Sequence, residues 1–234
     1  MGSKVVHELH PEFRSDLSSL ASAQRAMRLD SLASARSIRQ PILSNHDIHN
    51  AFDAITYEKG GGVLSMFEHW MGEEAFRDGV RLYLEKHRNG TATSTDLLAA
   101  LDRVTELDIA PPFTTFLTQP GVPWVSTSVA DDGCSGETRT LALRQERYLP
   151  IGSEADPNVS WKIPLCVRHE NGTTCGLLEE AQGAIELPGC PRWWMPNEEG
   201  AGYFRFGMPP DAWRRLRKAG YSRLSDGGKI ATAD

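Results

Sequence analysis

The sequence predicts a multidomain α + β chain, with a helical N-terminal part, a strand-rich middle and a short helical end. Apolar residues recur at helical spacing as far as residue 118, and after Pro123 turn residues come close together and apolar residues alternate. The chain has 234 residues, 40% of them hydrophobic, which suffices for one large or two modest domains with a real core.

The N-terminal part is predicted to consist of helices joined by short loops. Pro11 suits the first position of a helix over roughly 11–34, and Asn45 is a candidate N-cap for another. A helix over 73–88 has acidic residues at its start and basic residues at its end, as the helix dipole favours. Its predicted inner stripe consists of Phe76, Val80, Tyr83, Leu84 and His87.

Two further helices complete this part. Asn89-Gly90 stops the preceding helix, and Ser94 is expected to cap the next one. A short helix over 110–118 carries Phe113 and Phe116. Short connections between helices favour antiparallel neighbours, so this part is predicted to be a helical bundle.

The middle of the chain is predicted to be a β-sandwich-like domain over 123–208. Apolar residues alternate with others over 159–167, and Pro164 in this run indicates an edge strand or a bulge. Asn171-Gly172 predicts a two-residue hairpin turn. Further strands are expected around Leu141 and Leu143, and over 203–206. Residues 209–234 turn helical again, with Trp213 and Leu216 inside.

The stretch 52–68 carries the most specific pattern. Tyr57 is followed at once by Glu-Lys-Gly and then by a helical run with one apolar face, formed by Val63, Met66, Phe67, Trp70 and Met71. Gly60, Gly61 and Gly62 each cost about 1 kcal/mol relative to alanine in a helix. The run of glycines therefore predicts that this backbone packs close to a neighbour.

This stretch resembles the Phe-x-x-Ile-x-Tyr-x-Lys-Gly run of zinc aminopeptidases of the aminopeptidase N family, and Tyr57 stands at the position of its tyrosine. Four other segments follow the order of the family over residues 11–129, and these are Ser37-Ile38-Arg39-Gln40-Pro41-Ile42, Gly72-Glu73-Glu74-Ala75-Phe76-Arg77-Asp78-Gly79, Thr93-Ser94-Thr95-Asp96-Leu97 and Gln119-Pro120-Gly121-Val122-Pro123. The resemblance implies that 5–122 is the helical C-terminal part of a thermolysin-like catalytic domain, that 123–208 is the β-sandwich-like domain beside it, and that 209–234 starts a C-terminal helical domain.

The resemblance also implies a role for Tyr57. In that family the tyrosine faces the zinc site and donates a hydrogen bond to the carbonyl oxygen, on which negative charge develops as water attacks the peptide bond. A phenol suits this task because it keeps its proton at neutral pH. Tyr57 is thus the expected catalytic residue, no substrate-binding residue is assigned, and Glu58 and Lys59 are expected to form an ion pair that holds the turn.

The zinc ligands of the family, His-Glu-x-x-His and a later glutamate, have no counterpart in these residues. His7-Glu8-Leu9-His10 is one residue too short for that motif, and Pro11 follows it directly. His46 and His49 are three apart but lack a third ligand nearby. Zinc is therefore expected in the full-length parent protein and not in this chain, which is expected to be inactive alone.

All four cysteines lie in the predicted β-domain, and none forms a Cys-x-x-Cys pair. Two disulfides, Cys166–Cys175 and Cys134–Cys190, are the preferred pairing of the three possible, and four buried thiols are the alternative. A turn at Asn171-Gly172 would place Cys175 opposite Arg168, so the first disulfide needs a bulge. Disulfides favour a secreted or periplasmic location, although the sequence contains no signal peptide.

Charge and hydropathy limit the classes of partner that the chain can have. The net charge of −6 is spread along the chain, without the basic stripe of a nucleic-acid binder, and no apolar run reaches transmembrane length. By resemblance the partner of the parent protein is a peptide substrate. Two alternatives stay open: a non-catalytic peptide- or protein-binding module on the same fold, and a self-contained hydrolase, although no Gly-x-Ser-x-Gly elbow is present.

Overall fold

The computed structural model describes residues 2–41, 43–45, 53–129, 134 and 137–233. Helices occupy the N-terminal half, two sheets follow, and short helices end the chain, so the mixed α + β class predicted from the sequence is confirmed. Among the described residues, no helix combines the length and the hydropathy needed to cross a membrane.

The long helix predicted over 11–34 is interrupted. Helix α1 covers Gly2–Leu9, a 3-10 turn covers Pro11–Phe13, and helix α2 covers Ser15–Asp30. Between the turn and α2, Arg14 has a φ of 47°, a left-handed conformation that cannot continue a right-handed helix. The proline that was expected to open the long helix opens the short turn instead.

Tyr57 lies on a single π-helical turn, Ile55–Lys59, which leads directly into helix α3, Gly60–Met71. The inner face predicted for α3 is confirmed, because four of its five apolar side chains are buried and Trp70 is partly buried. The π-turn and α3 therefore form one continuous element whose apolar face joins the core.

Only one of the three glycines at the start of α3 is required by packing. A Cβ added at Gly62 would lie 2.9 Å from Tyr203 Cδ2 and 3.1 Å from Ala23 Cβ. A Cβ added at Gly60 or Gly61 would meet nothing within 4 Å. The predicted close approach is therefore correct for Gly62 and wrong for the other two.

Three further helices are α4 (Glu73–Lys86), α5 (Ser94–Asp102) and α6 (Ala110–Thr118). Thr93, one residue before the predicted cap Ser94, is the N-cap of α5. Its hydroxyl accepts the Asp96 N–H, and the Asp96 carboxylate accepts the Thr93 N–H, which is a capping box. The prediction that Ser94 caps α5 is wrong by one residue, because the residue three positions after Thr93 is Asp96, which can bond back to the cap, whereas Leu97 stands three positions after Ser94.

The predicted inner stripe of α4 includes one residue that faces solvent. Leu84 is 59% exposed, whereas Phe76 and Gly79 are buried. A Cβ at Gly79 would lie 2.7 Å from Leu101 Cδ2, so α4 and α5 approach closely at this glycine. Leu84 lies beyond this line of contact and does not reach the core.

In the described residues that follow there are seven strands, β1 (Pro123–Ser128), β2 (Thr138–Arg147), β3 (Ile163–His169), β4 (Gly172–Leu178), β5 (Gln182–Pro188), β6 (Trp194–Met195) and β7 (Arg205–Gly207). One sheet has the order β5-β2-β1-β7, in which β7 runs parallel to β1 and the other pairs are antiparallel. The other sheet has the antiparallel order β4-β3-β6. Trp194 Nε1 of the second sheet donates to Thr127 Oγ1 of the first at 3.1 Å.

The β3–β4 hairpin turns one residue earlier than predicted. His169 pairs with Gly172, so the two loop residues are Glu170 and Asn171. This register places Cys166 directly opposite Cys175, and no bulge is needed for the disulfide that joins them. A second disulfide joins Cys134 to Cys190, so the structure has the pairing preferred in the sequence analysis. Gly172 belongs to the strand, and its φ of 145° is one that glycine tolerates best.

Two strand predictions need correction. The strand expected over 159–167 begins only at Ile163, and its buried residues do not alternate, because five consecutive residues from Ile163 onward are buried. Met66 of α3 lines a small cleft together with Pro164 and Cys166, so helix α3 covers the face expected to be exposed. The strand expected over 203–206 begins at Arg205, and Tyr203 is buried in the loop before it.

The C-terminal residues form helix α7 (Pro210–Arg215), a second π-turn (Leu216–Gly220) and helix α8 (Asp226–Ala231). Leu216 is buried and Trp213 half-buried, as predicted. One apolar cluster contains buried residues from the helices and from both sheets. The rings of Phe116 and Trp161, 6.3 Å apart, join its helical and strand-rich parts. The domain limits proposed from the sequence stay predictions.

A half-buried ion pair also joins the two parts. His69 Nε2 of α3 lies 3.2 Å from Glu198 Oε2, in the loop after β6. The hydrogen bond to Glu198 raises the pKa of His69, and partial burial opposes this shift. Burial raises the pKa of Glu198, but the bonds from His69 and Thr173 outweigh it and hold that pKa below its usual value.

We expect a matched pair of glycine substitutions in α3 to have opposite effects. Gly61→Ala should raise the free energy of unfolding by up to about 1 kcal/mol, because alanine favours the helix and its Cβ meets nothing. Gly62→Ala should lower it by about 1–3 kcal/mol, because the new methyl overlaps the Tyr203 ring. Urea unfolding of both variants measures the difference, and equal effects would contradict the packing described here.

We expect the His69–Glu198 pair to stabilise the fold in a limited range of pH. The folded-state pKa of His69 is raised, so its contribution is complete below the unfolded value of about 6.5 and is lost as the pH rises through the folded pKa. His69→Gln should therefore cost about 1 kcal/mol at pH 5.5 and much less at pH 9, measured by urea unfolding.

Glu198→Gln is the matched partner variant. It should remove most of the same pH dependence between these two conditions, because Glu198 is the largest cause of the raised His69 pKa and the charges of Glu199 and Glu68 account for the rest. A cost of His69→Gln that is equal at both pH values would show that the pair does not carry a charge-dependent contribution.

Candidate functional site

Tyr57 is the residue on which the candidate site is built. Its side chain is 62% exposed, while Ile55 and Lys59 at the two ends of the π-turn are buried. The Tyr57 N–H donates to the Asp53 carbonyl at 3.1 Å. Single π-turns are frequent at functional sites in proteins. The π-turn therefore presents the Tyr57 side chain at the surface of the described part of the chain.

The N-terminal side of the π-turn is held by Arg36. Its guanidinium contacts both oxygens of Asp53, at 2.5 Å and 3.1 Å, and donates to Thr56 Oγ1 at 3.1 Å. Asp53 Oδ1 also accepts the Thr56 N–H at 3.0 Å. Partial burial raises the pKa of Asp53, but the hydrogen bonds from Thr56 and Arg36 outweigh it and hold that pKa below its usual value.

The C-terminal side is held by α2, and here the sequence prediction needs correction. Glu58 and Lys59 do not pair with each other. Glu58 accepts two bonds from Arg25, at 2.6 Å and 3.1 Å, near the surface. Lys59 Nζ lies 2.8 Å from Asp30 Oδ2, and both side chains are fully buried. Consecutive helical residues point in directions about 100° apart, so adjacent side chains on this turn meet different partners.

Lys59 is the centre of a buried polar junction. It also donates to the Gln119 carbonyl at 3.0 Å, and its ammonium lies 5.9 Å from the centre of the Tyr203 ring. Asp30 in turn accepts the Gly121 N–H at 2.9 Å and the Tyr203 hydroxyl at 3.3 Å. Burial lowers the pKa of Lys59 and raises that of Asp30, and the contact between the two charges opposes both shifts.

This junction is not among the features predicted from the sequence. Asp30 and Tyr203 were not singled out as polar partners, and the 119–121 loop was noted only as a motif. One signal was present in the sequence: Asp30 follows Met27 by three residues on the face of α2 that is buried. A carboxylate on an apolar helix face indicates a buried partner, because an unpaired buried charge is too costly.

The histidine pairs do not form a metal site in the described part of the chain. His7 lies 3.4 Å from Asp16, and His10 lies 3.1 Å from Glu12, both at the surface. The other pair, at 46 and 49, and the helix expected there lie outside the described residues. No group of three His, Cys, Asp or Glu side chains in the described ranges could hold a metal ion, so these residues do not fit zinc.

The helical part of the chain matches a known protein family. Residues 1–116 match the peptidase family M1 domain. Aminopeptidase 2 of Candida albicans is 29% identical over 216 residues, which are 91% of this chain and 22% of that protein. The mitochondrial aminopeptidase 2 of Saccharomyces cerevisiae is 32% identical over 197 residues, 82% of this chain and 20% of that protein.

A bacterial relative shows higher identity over a shorter stretch. Aminopeptidase N of Lactobacillus helveticus is 37% identical over 144 residues, which are 61% of this chain and 16% of that protein. The chain thus spans between 16% and 22% of the length of these three relatives. From the family match and these relatives together, the chain belongs to peptidase family M1.

Proposed function

We propose that this chain is part of a zinc aminopeptidase that removes N-terminal residues from peptides, and that Tyr57 is its contribution to catalysis. The observation that carries the proposal is the accessible phenol of Tyr57 on a π-turn held at both ends. The position of this tyrosine in a motif of the family and the names of the relatives support it.

The chemistry assigned to Tyr57 is electrostatic. When water attacks a peptide carbonyl, negative charge develops on the oxygen, and a donor already aimed at that oxygen stabilises the transition state more than the substrate. The phenol O–H of Tyr57 is such a donor. The direction of this O–H depends on the backbone of the π-turn. Arg36 holds the N-terminal end of the turn, and α2 holds its C-terminal end.

The architecture proposed for the chain follows the same reasoning. Residues 5–122 are the helical C-terminal part of a thermolysin-like catalytic domain, 123–208 are a β-sandwich-like domain, and 209–234 start a helical domain. Zinc is assigned to the longer protein, because the described residues offer no set of ligands. In this proposal Tyr57 is the catalytic group in this chain, and the zinc ligands belong to another part of the longer protein.

We also propose a secreted or periplasmic location. Two disulfides persist in oxidising compartments and are rare in the cytosol. The name of the Saccharomyces cerevisiae relative places that protein in mitochondria.

We expect the isolated 234-residue chain to bind no catalytic zinc and to have no peptidase activity, because it lacks the ligand motif. The test is zinc content by elemental analysis together with turnover of an aminoacyl anilide, with the complete protein as the positive control. Stoichiometric zinc with chelator-sensitive turnover in the isolated chain would refute this expectation.

In the complete protein that contains this chain, Tyr57→Phe should lower kcat by roughly 10²–10³-fold with little change in KM, because the lost donor acts only in the transition state. Steady-state kinetics on an aminoacyl anilide measure both constants. Tyr221→Phe is the matched control, since Tyr221 is also exposed but lies on a 3-10 turn near the C-terminus.

The Tyr221→Phe protein should keep the wild-type kcat. If Tyr57→Phe also keeps it, Tyr57 does not stabilise the transition state. A protein that binds peptides without turning them over would instead support the non-catalytic binding module.

A further inference from the structure

The buried junction around Lys59 lies unusually close to the candidate catalytic residue. Lys59 follows Tyr57 by two residues and ends the π-turn that carries it. Its side chain is fully buried, and the Tyr57 side chain is mostly exposed. The same turn of backbone therefore has the exposed phenol of Tyr57 on one side and the buried, ion-paired ammonium of Lys59 on the other.

Three separate parts of the chain attach to this cation. Asp30 comes from the end of α2, the Gln119 carbonyl from the loop between α6 and β1, and the Tyr203 ring from the loop before β7. These three segments are far apart in the sequence, so the position of the Lys59 Nζ atom depends on how all of them pack together. The same Tyr203 ring packs closely against the start of α3, because a Cβ added at Gly62 would lie 2.9 Å from Tyr203 Cδ2.

Lys59 and Asp30 pair directly in the junction, and burial, together with the charge of the nearby Arg147, lowers the pKa of Lys59. Each oxygen of Asp30 has a donor: Oδ1 accepts the Gly121 N–H at 2.9 Å, and Oδ2 accepts from Lys59 at 2.8 Å and from Tyr203 at 3.3 Å. A buried ion pair adds little stability compared with apolar residues of the same volume, because desolvation offsets the attraction between the charges. What a buried ion pair adds is a defined geometry, because hydrogen bonds fix the angles between groups and apolar contacts do not.

We propose that Lys59 is a positioning residue for Tyr57, held in place by Asp30 and Tyr203, a role that rests on the function proposed above. The Lys59 contacts set where the π-turn ends, and the end of the turn sets the direction of the Tyr57 side chain. The strand-rich part of the chain contributes to this positioning through Tyr203. Neither Lys59 nor Tyr203 contacts substrate in this scheme.

A double-mutant cycle in the complete protein tests the proposal. The four proteins are wild type, Lys59→Met, Tyr57→Phe and the double variant, and kcat and KM are measured on an aminoacyl anilide. Lys59→Met should lower kcat by about 10-fold or more, because small misplacements of a catalytic group are costly, and should leave KM within about 2-fold. In the Tyr57→Phe background, the same substitution should lower kcat by less than about 2-fold, because the hydroxyl it positions is gone.

Tyr203→Phe provides a milder variant, in case Lys59→Met does not fold. It removes one hydroxyl from Asp30 and keeps the ring against Gly62. The expected decrease in kcat is smaller and should likewise vanish in the Tyr57→Phe background. Gly79→Ala is the control for loss of stability alone, since its Cβ would overlap Leu101 between α4 and α5. Its kcat should match wild type.

The outcomes separate the two proposals. If Lys59→Met and Tyr203→Phe lower kcat equally with and without the Tyr57 hydroxyl, their role is general and the positioning proposal is overturned. The same conclusion follows if Tyr203→Phe leaves kcat unchanged in a folded protein and Lys59→Met does too. If Tyr57→Phe alone leaves kcat unchanged, the proposed function itself fails.

Discussion

The contact between Lys59 and Asp30 is the constraint on which the rest of the structure depends. Two fully buried charges 2.8 Å apart are tolerated only if each also finds hydrogen-bond partners. Those partners are the Gln119 carbonyl, the Gly121 N–H and the Tyr203 hydroxyl. Movement of any one of these segments alone would leave a charge uncompensated in the interior. Helix α2, the π-turn, the 119–121 loop and the loop before β7 are therefore fixed relative to one another.

This constraint explains why the helical and strand-rich parts behave as one core. The same apolar cluster includes residues of α3, α6 and both sheets, and the Phe116 and Trp161 rings meet where these parts join. The 119–121 loop is at once the connection between the parts and a set of ligands for the buried charges. This loop therefore contributes two backbone groups to the buried pair, the Gln119 carbonyl and the Gly121 N–H.

Local patterns allowed much of this fold to be predicted. The apolar face of α3 and the limits of α6 follow from helical spacing, which depends only on near neighbours. Errors arose where distant contacts or special backbone angles decide the structure. The left-handed Arg14 divides the first predicted helix, and the His169–Gly172 pairing shifts the hairpin turn by one residue. A shift of one residue changes every cross-strand pair, which is why the sequence suggested a bulge at Cys166 that the structure does not need.

In the candidate site, too, the features set by neighbouring residues could be predicted, and those set by distant contacts could not. Tyr57 could be found because its motif is contiguous in sequence, whereas the Asp30 and Tyr203 partners of Lys59 come from segments far along the chain. Residues two apart in a helical turn point to roughly opposite sides. The two sides of the π-turn therefore have different surroundings. The side chain of Tyr57 is exposed on one side, and on the other side Lys59 attaches the turn to the core through its contact with Asp30.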